Sequence, residues 1–389
     1  MEVTTIGIDV AKDVFAIHGV DAHGRVRVRK RLVRKHLLEF LGKLPTCLVG
    51  LEACASAHYW AREIERLGHR VKLMSPRFVK PYRKNDKSDA NDAEAICEAV
   101  SRPSMRFVPI KSEAQQDLQA MHRAREQLLK SRTALVNQAR ALLAEHGIIA
   151  PRGIARARRL LAEVLAQPEG YPLSGLLRET LLEISERLRF FDQRIETYDL
   201  RIKQVFRHDE RCQRLAKIAG VGPLVATAVV AAIGNAQEFK SGRQLSAWLG
   251  LVPRQYSSGN RNLLLGISKR GDRYLRTILI HGARAALCRA VRKRDQRGAW
   301  ASRLRLRRGT NVAAVALASK NARIIWALLT RGENYRPFLP PSPQPAAGCF
   351  PPQPSSWLGG LGRKATCPKN SSAVSRNTPC LGCGGPDCR

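Results

Sequence analysis

Two aspartates, Asp89 and Asp92, lie three residues apart at the start of a segment with helical spacing. The recurrence of Ala93, Ile96 and Val100 predicts a helix, and both carboxylates then project from one face of it. Like charges at this separation repel, so the pair costs free energy unless a cation lies between them. The plainer interpretation is a helix N-terminus that carries acids, which the helix dipole favours at that end.

Two further acids lie in or directly after short apolar segments that predict buried strands. Asp9 follows residues 5–8, and Glu52 follows the apolar run 47–51. Two strand carboxylates that face a helical aspartate pair would form an oxygen-ligand site suited to Mg²⁺ or Mn²⁺. The candidate metal ligands are therefore Asp9, Glu52, Asp89 and Asp92.

The elements that must position these acids form an α/β pattern over residues 1–110. Further strands are predicted at 14–20, 25–29 and 71–74, and helices near 35–44 and 59–67. The order β-β-β-α-β-α-β, with acids on the first strand, the fourth strand and a later helix, is that of RNase H-like nucleases. The sequence thus predicts an RNase H-like (RuvC-like) N-terminal domain.

Residues 111–210 predict a helical coiled-coil middle segment. An unbroken heptad seam alternates steps of four and three residues through Leu177, Leu181, Ile184, Leu188, Phe191, Ile195, Tyr198, Ile202 and Val205. The seam suits an intramolecular helical hairpin or a dimerisation stalk, and heptads do not distinguish the two.

Residues 211–336 predict a mainly α C-terminal domain. Gly220 and Gly222 lie between two helical patterns, as in a helix-hairpin-helix motif, where glycines let backbone N–H groups approach phosphates. Between residues 251 and 337 there are 20 Lys and Arg against three acids, a surplus of 17 within a total net charge of +35. This concentration of charge indicates a nucleic-acid surface.

The overall composition narrows the class of partner. A net charge of +35 attracts polyanions, and nucleic acid is the expected one. A membrane partner is not expected, because the chain has neither a lipidation signal nor a long uncharged apolar run. No signal peptide opens the sequence, so we expect a cytoplasmic protein with reduced cysteines.

Residues 337–389 predict a disordered tail rich in proline and cysteine. Eleven of the 21 prolines and five of the ten cysteines lie there, without a periodic apolar pattern. Cys380, Cys383 and Cys388, with Cys367 as a fourth ligand, make zinc binding an alternative for this segment.

Several motifs taken together resemble the bridge-RNA-guided insertion-sequence transposases, the insertion-sequence one-ten family. The resemblance runs in order from about residue 3 to 336, through segments 7–12, 51–53, 87–93, 218–222, 249–254, 258–259 and 267–271. It implies a RuvC-like domain whose Asp-Glu-Asp-Asp metal site is Asp9, Glu52, Asp89 and Asp92. It further implies a coiled coil and a transposase domain whose serine nucleophile is Ser258, with the adjacent Ser257 leaving the assignment ambiguous by one residue.

The resemblance also implies partners. Members of this family act as homo-oligomers, dimers or tetramers, around a structured guide RNA that pairs with donor and target DNA. The resemblance implies an active site that joins the RuvC-like domain of one protomer to the serine of another. Such a protein is expected to be bacterial, cytoplasmic and nucleoid-associated.

The chemistry of these residues is consistent with cutting and rejoining DNA through a phosphoserine intermediate. Bound metal ions would stabilise charge on the leaving oxygen. The basic residues that flank Ser258 would neutralise phosphates; they are Arg254, Arg261, Lys269 and Arg270. Two rival functions remain: a junction-resolving nuclease that uses water, and a non-catalytic nucleic-acid-binding protein. In both, residues 257–260 are only a surface turn.

Overall fold

The N-terminal region is built on a six-stranded sheet, in a computed structural model that describes residues 2–84, 86–290 and 296–336. The strands are short, and those in the middle of the sheet are almost entirely apolar. They are β1 (Thr5–Asp9), β2 (Val14–Val20), β3 (Val26–Val33), β4 (Leu48–Glu52), β5 (Arg70–Met74) and β6 (Phe107–Val108).

The strand order across the sheet is β3-β2-β1-β4-β5-β6. Strands β1, β2 and β3 pair antiparallel, β4 and β5 run parallel to β1, and β6 returns antiparallel. Parallel neighbours need a helical crossover, which explains the helix between β4 and β5. The predicted β-β-β-α-β-α-β order is confirmed, and it fits an RNase H-like arrangement.

Four helices accompany the sheet. They are α1 (Leu37–Gly42), α2 (Ala57–Arg66), α3 (Pro76–Val79) and α4 (Asp89–Val100). One core lies on the α1 and α2 side, where Phe15, Leu41 and Ile64 are buried. Another lies under α4, where Met74, Ile96 and Val100 are buried.

Three helices follow as a stalk-like segment: α5 (Glu113–Ala144), α6 (Ile154–Ala166) and α7 (Gly175–His208). Arg125 pairs with Asp199 at 2.6 Å and Arg132 with Asp192 at 2.9 Å. From the first pair to the second, the position advances along α5 and moves back along α7, so the two helices are antiparallel. Within one chain they form the helical hairpin that was one of the two predicted alternatives.

All nine members of the heptad seam are buried or half-buried within this chain. Leu181, Ile184 and Leu188 of the seam pack against the end of α5 and against α6. Large apolar side chains elsewhere on α7, Phe190 and Leu200, are exposed. Dimerisation through this segment stays a prediction.

The C-terminal region is helical apart from one β-hairpin. Its helices are α8 (Glu210–Ala216), α9 (Pro223–Ile233), α10 (Gly242–Trp248), α11 (Arg273–Ala290) and α12 (Gln296–Arg331), the last interrupted at Gly309, whose φ is +80°. The hairpin consists of β7 (Pro253–Ser258) and β8 (Arg261–Ile267). Residues of all five helices share one apolar core.

A buried polar contact joins this region to the long helix α5. His122 Nδ1 lies 2.9 Å from the Tyr274 hydroxyl, and His122 Nε2 lies 3.0 Å from Thr227 Oγ1. Thr227 donates to the Pro223 carbonyl, so its oxygen accepts from Nε2–H of a neutral imidazole. Burial lowers the pKa of His122 to about 4, which keeps the ring neutral and the contact intact.

Two boundaries differ from the sequence prediction. Strand β3 runs to Val33, past the predicted end at residue 29, because Leu32 and Val33 continue the ladder with β2. The predicted helix 35–44 is shorter, since residues 34–36 form a 3₁₀ turn before α1. The predicted tail, with its candidate zinc ligands, lies outside the described residues.

Helix α12 is, within the described ranges, the one helix long and apolar enough to cross a membrane by length and composition. More than half of its most apolar stretch is buried. Leu317, Ile325 and Leu329 belong to the C-terminal core, so packing accounts for its apolar character.

Candidate active site

Asp9 and Glu52 lie side by side because two parallel strands end together. The register pairs Ile8 of β1 with Leu51 of β4, so the next residue of each strand is an acid at the same edge of the sheet. Both residues are half-buried, and each belongs to its strand as the last residue. This is the placement that the sequence predicted.

Helix α4 brings the second pair of acids to this edge. It begins at Asp89, and the Ser88 side chain caps it by accepting from the Asn91 backbone N–H at 3.3 Å. Asp89 and Asp92 therefore stand in its first turn.

Two glycines let α4 approach the sheet closely. Gly7 of β1 and Gly50 of β4 are register partners on the face that α4 covers. A Cβ atom at Gly7 would overlap the backbone of Ala93 and Cys97, and one at Gly50 would overlap the Val100 side chain. The absence of side chains at these two positions thus fixes the depth of α4 and, with it, the height of its acidic first turn.

The four acids act on one another electrostatically. Burial raises the pKa of Asp9, and the charges of Asp92 and Asp89 raise it further. Burial likewise raises the pKa of Glu52, with Asp9 and Asp92 adding to the effect. The ionised carboxylates therefore repel one another across a partly desolvated edge of the sheet.

Arginine side chains contact the two aspartates of α4. Arg31 of β3 donates from Nη2 to Asp89 Oδ2 at 3.4 Å, and Arg83 donates from Nη1 to Asp92 Oδ1 at 3.3 Å. Beside them, Arg29 lies 3.0 Å from the Glu94 carboxylate. A basic row thus borders the acidic edge.

The four carboxylates are suitable ligands for a hard divalent cation, but they do not converge closely enough to hold one ion. Carboxylate oxygens are the ligands that Mg²⁺ and Mn²⁺ prefer, and a cation would relieve the repulsion that adds to the effect of burial on the pKa values of Asp9 and Glu52. In residues 2–84, 86–290 and 296–336, however, no three His, Cys, Asp or Glu side chains converge closely enough to hold one ion. The carboxylates would have to move closer together to hold one ion.

Ser258 is the last residue of β7, at the tip of the hairpin. The turn Gly259-Asn260 connects it to Arg261, and Gly259 has φ +54° at the first central position, where a type II′ hairpin turn requires glycine. The tip is solvent-exposed. Residues 257–260 therefore form a strand end and a hairpin turn at the surface.

The two candidate serines point to opposite faces of the hairpin, since strand side chains alternate. Ser257 shares its face with Gln255, whose Nε2 donates to the Ser257 hydroxyl at 2.9 Å. Ser258 is the register partner of Arg261, so the two share the other face. Within the described part of the chain, the Ser258 hydroxyl makes no hydrogen bond.

The other predicted phosphate ligands line the same hairpin. Arg254 lies on β7, and Lys269 and Arg270 lie at its base. The two segments at the base of the hairpin pack tightly, because a Cβ atom at Gly250 would overlap the backbone of Arg270 and one at Gly271 would overlap that of Trp248. The Arg276 guanidinium also donates to the carbonyls of Leu249 and Arg270, one in each segment.

Gly220 and Gly222 lie in the turn between α8 and α9. Gly220 has φ +90° and packs directly on the backbone of Gly282 in α11, so helix packing accounts for its lack of a side chain. Gly222 is the N-cap of α9 and has open space where a Cβ would stand. Of the two, Gly222 is the one positioned for an approaching ligand.

Sequence reasoning missed three features of this region. The arginine partners of the aspartates come from distant positions, and no local signal in the sequence links them. The hairpin was not predicted, although Gly259-Asn260 between two short runs is a hairpin signal. Tyr256, on the face of Ser258, was not singled out.

Comparison with known proteins gives two family matches. A profile described as "Transposase", of the DEDD type, covers residues 6–148, and the profile "Transposase IS116/IS110/IS902 family" covers residues 212–299. The first range contains all four acids, and the second contains the hairpin.

Full-length relatives agree. The chain is 52% identical over 337 residues to a probable family 20 transposase of Pseudomonas aeruginosa, covering 87% of this chain and 100% of that protein. The chain belongs to the IS110/IS116/IS902 transposase family. It is also 47% identical to the transposase for insertion sequence element IS1111A of Coxiella burnetii, over 86% of this chain and 92% of that protein. The transposase for IS1328 of Yersinia enterocolitica is 43% identical, over 85% and 98%.

Family membership confirms the coarse part of the sequence prediction. The chain is an insertion-sequence transposase with a DEDD domain and, as such, a DNA-cutting and rejoining enzyme. It excludes the non-catalytic nucleic-acid-binding protein as the best description of this chain.

Proposed function

We propose that this transposase cuts and rejoins DNA through a covalent bond between Ser258 and phosphorus, assisted by a divalent metal ion on Asp9, Glu52, Asp89 and Asp92. The observation that carries the proposal is the gathering of four mutually repelling carboxylates at one edge of the sheet, in a chain with a DEDD transposase domain. Mg²⁺ or Mn²⁺ is the expected ion, because the donors are carboxylates.

The residues have distinct tasks in this proposal. The Ser258 oxygen attacks the scissile phosphorus and loses its proton, while the bond from phosphorus to the leaving DNA oxygen breaks and that oxygen takes up a proton. Attack by a DNA hydroxyl on the phosphoserine reverses these steps, so rejoining needs no external energy source. When bound, the metal ion supplies charge stabilisation to the phosphate and the leaving oxygen.

Arg261 is placed to hold the phosphate. It stands opposite Ser258 on the same face, and it is exposed and without an acidic partner in the described residues. A guanidinium beside the nucleophile neutralises a phosphate oxygen and makes phosphorus a better electrophile. Arg254, Lys269, Arg270 and the α9 N-terminus at Gly222 extend this phosphate-binding surface, as in a helix-hairpin-helix motif.

The two halves of the site belong to different parts of the chain. In the described residues no hydrogen bond or ion pair joins the hairpin to the acid-bearing sheet. This supports a homo-oligomer, a dimer or tetramer, in which one protomer offers Ser258 and another offers the acids. DNA and a structured guide RNA are the proposed ligands, the RNA on the strength of the family resemblance alone.

The same separation favours one rival, a metal-dependent nuclease in which the acids activate water and Ser258 is a bystander. The two functions differ in their intermediate. A serine nucleophile leaves protein bound to DNA, whereas water leaves two free ends.

The deciding experiment traps the intermediate. We expect Ser258→Ala to bind DNA normally and to lose both the SDS-resistant protein–DNA adduct and recombination, because its β-carbon carries no nucleophilic oxygen. Ser257→Ala is the matched control, one residue away on the opposite face, and should retain both. Normal cleavage by Ser258→Ala would establish the nuclease, and adduct loss in Ser257→Ala alone would move the nucleophile by one residue.

A further inference from the structure

The face of the hairpin that carries Ser258 also carries an exposed aromatic side chain. Tyr256 is two residues before the serine on β7, so the two side chains point the same way. Its exposed fraction is 72%, and its register partner Leu263 is also exposed, at 39%. No hydrogen bond, ion pair or ring contact engages Tyr256 within the described residues.

Such an arrangement is costly unless something covers it. A two-stranded hairpin is marginally stable in water on its own, and an exposed tyrosine adds nothing to its folding. The exposed apolar side chains of this hairpin lie on both faces, since Leu264, opposite Gln255, is 66% exposed. The face that carries Tyr256 and Ser258 is therefore available for a contact with a partner.

The charge around the ribbon selects the kind of partner. Arg254, Arg261, Lys269 and Arg270 lie on the hairpin or at its base, and no acid occurs between Glu238 and Asp272. A protein surface of ordinary composition would leave this charge unmatched, whereas a nucleic-acid strand offers phosphates to the arginines and the flat face of a base to the tyrosine.

We propose that Tyr256 stacks on an unpaired base of the DNA strand that Ser258 attacks, and so sets which phosphate faces the serine. This inference rests on the proposed function, because it takes the ligand to be the strand that is cut. In a strand two residues span roughly 6.6 Å, at about 3.3 Å per residue. A base on Tyr256 thus lies within one nucleotide of a phosphate at Ser258, and Arg261 holds that phosphate from the other strand of the ribbon.

Tyr256 is a positioning residue in this scheme, and stacking predicts a particular pattern of mutational effects. The aromatic ring is needed and the hydroxyl is not, so Tyr256→Phe should behave as the unaltered protein. Tyr256→Ala should weaken binding of strands that carry bases and leave binding of the bare phosphate backbone unchanged. Stacking on one base corresponds to an affinity loss of roughly tenfold to a hundredfold on removal of the ring.

The experiment compares two probes by fluorescence anisotropy with the full chain. One is a fluorescein-labelled single-stranded dT 20-mer, and the other is the same length of backbone with abasic sites throughout. We expect Tyr256→Ala to lose at least roughly tenfold in affinity for the dT strand and to match the unaltered protein on the abasic strand. Leu264→Ala, on the opposite face, is the matched control and should match the unaltered protein on both probes, whereas Arg261→Ala should weaken both.

The outcomes separate this inference from the function on which it rests. If Tyr256→Ala binds the dT strand as tightly as the unaltered protein does, the stacking role is wrong while the serine chemistry stands. If Tyr256→Ala sediments as a smaller oligomer than the unaltered protein, the ribbon face is a contact between copies of this chain, and the inference is overturned. If the unaltered protein forms no serine adduct, the proposed function fails whatever the probes show.

Discussion

At the scale of single residues, the two aspartates of α4 each have an arginine partner. Arg31 and Arg83 each contact one aspartate of α4, and both come from outside that helix. The Arg31–Asp89 pair is exposed and the Arg83–Asp92 pair is half-buried, so each ion pair contributes little to stability. Their effect is electrostatic, because each arginine places a positive charge beside an aspartate of the acidic edge.

Asp89 is the acid whose loss is easiest to interpret. We expect Asp89→Asn to reduce metal-dependent strand cleavage by more than roughly a hundredfold, since loss of a direct ligand costs more than loss of a supporting contact. Binding of DNA should persist, because the substitution removes a negative charge. The measurement is cleavage of a labelled insertion-sequence end at fixed Mg²⁺, with binding followed in parallel.

Asp86→Asn is the matched control for that variant. Asp86 is an exposed acid three residues earlier, and only its backbone carbonyl makes a hydrogen bond, to Asn91. It should cleave at the normal rate. Full activity in Asp89→Asn would remove Asp89 from the site.

The sequence predicted which elements carry these acids but not the surroundings of the acids. Strand and helix periodicity located Asp9, Glu52, Asp89 and Asp92 correctly, because that signal is local. The pairing of Arg31 with Asp89 spans 58 residues and depends on where β3 lies in the sheet. Such contacts are a product of topology, so single-sequence patterns do not reveal them.

At the scale of elements, two glycines determine where α4 lies. Gly7 and Gly50 remove two side chains from the face of the sheet that the helix covers, and α4 rests directly on the strands there. Its first turn then reaches the strand ends that carry Asp9 and Glu52. The acidic site therefore depends on residues that have no functional group.

A methyl group at Gly7 tests this dependence. We expect Gly7→Ala to lower the free energy of unfolding by about 1–3 kcal/mol or more, because the new Cβ overlaps backbone atoms of Ala93 and Cys97 that cannot move alone. Urea unfolding measures the change. Displacement of α4 should also reduce cleavage in the protein that remains folded.

Gly42→Ala is the control at this scale. Gly42 ends α1 with open space around it, so alanine there should be neutral within about 0.5 kcal/mol. Equal unfolding midpoints for Gly7→Ala and the unaltered protein would mean that α4 does not rest on β1 as described.

The hairpin shows the limit of prediction at this scale. Its residues are exposed on both faces, so β7 and β8 lack the alternation between buried and polar positions that identifies a strand. The helices of the same region were predictable, because their apolar faces enter a common core.

At the scale of the whole molecule, positive charge is unevenly compensated. The sheet, α4 and the α5–α7 hairpin carry most of the ion pairs of the described residues, whereas the segment from β7 to α12 contributes only the pair of Asp272 with Arg123. Uncompensated charge on one region favours long-range attraction of DNA to that region, with strong dependence on salt.

Truncation after Arg336 tests what the whole chain needs. We expect the shortened protein to recombine DNA about as well as the full chain, because the four acids and Ser258 all precede residue 337. The Pseudomonas aeruginosa relative, matched over its full length by 337 residues of this chain, supports the same expectation. The assay is recombination between donor and target plasmids at equal soluble protein.

The full-length chain with Cys380 and Cys383 both changed to serine is the companion variant. It should also be fully active, which excludes a zinc requirement in the tail. A large loss of activity or solubility on truncation, with or without the same loss in the cysteine variant, would contradict the expectation.

The exposure of the β7–β8 hairpin, which carries Ser258, affects how fast its backbone amides exchange with solvent. Its backbone hydrogen bonds are open to water on both faces, so its amides should exchange with solvent far faster than those of the sheet or of α9. A strand of DNA that covers one face slows that exchange, and the free energy spent on ordering the ribbon is subtracted from affinity. A lower affinity for DNA then accompanies a higher selectivity. Because Ser258 is held rigidly only when the correct strand covers the hairpin, it is seldom in position to attack another strand.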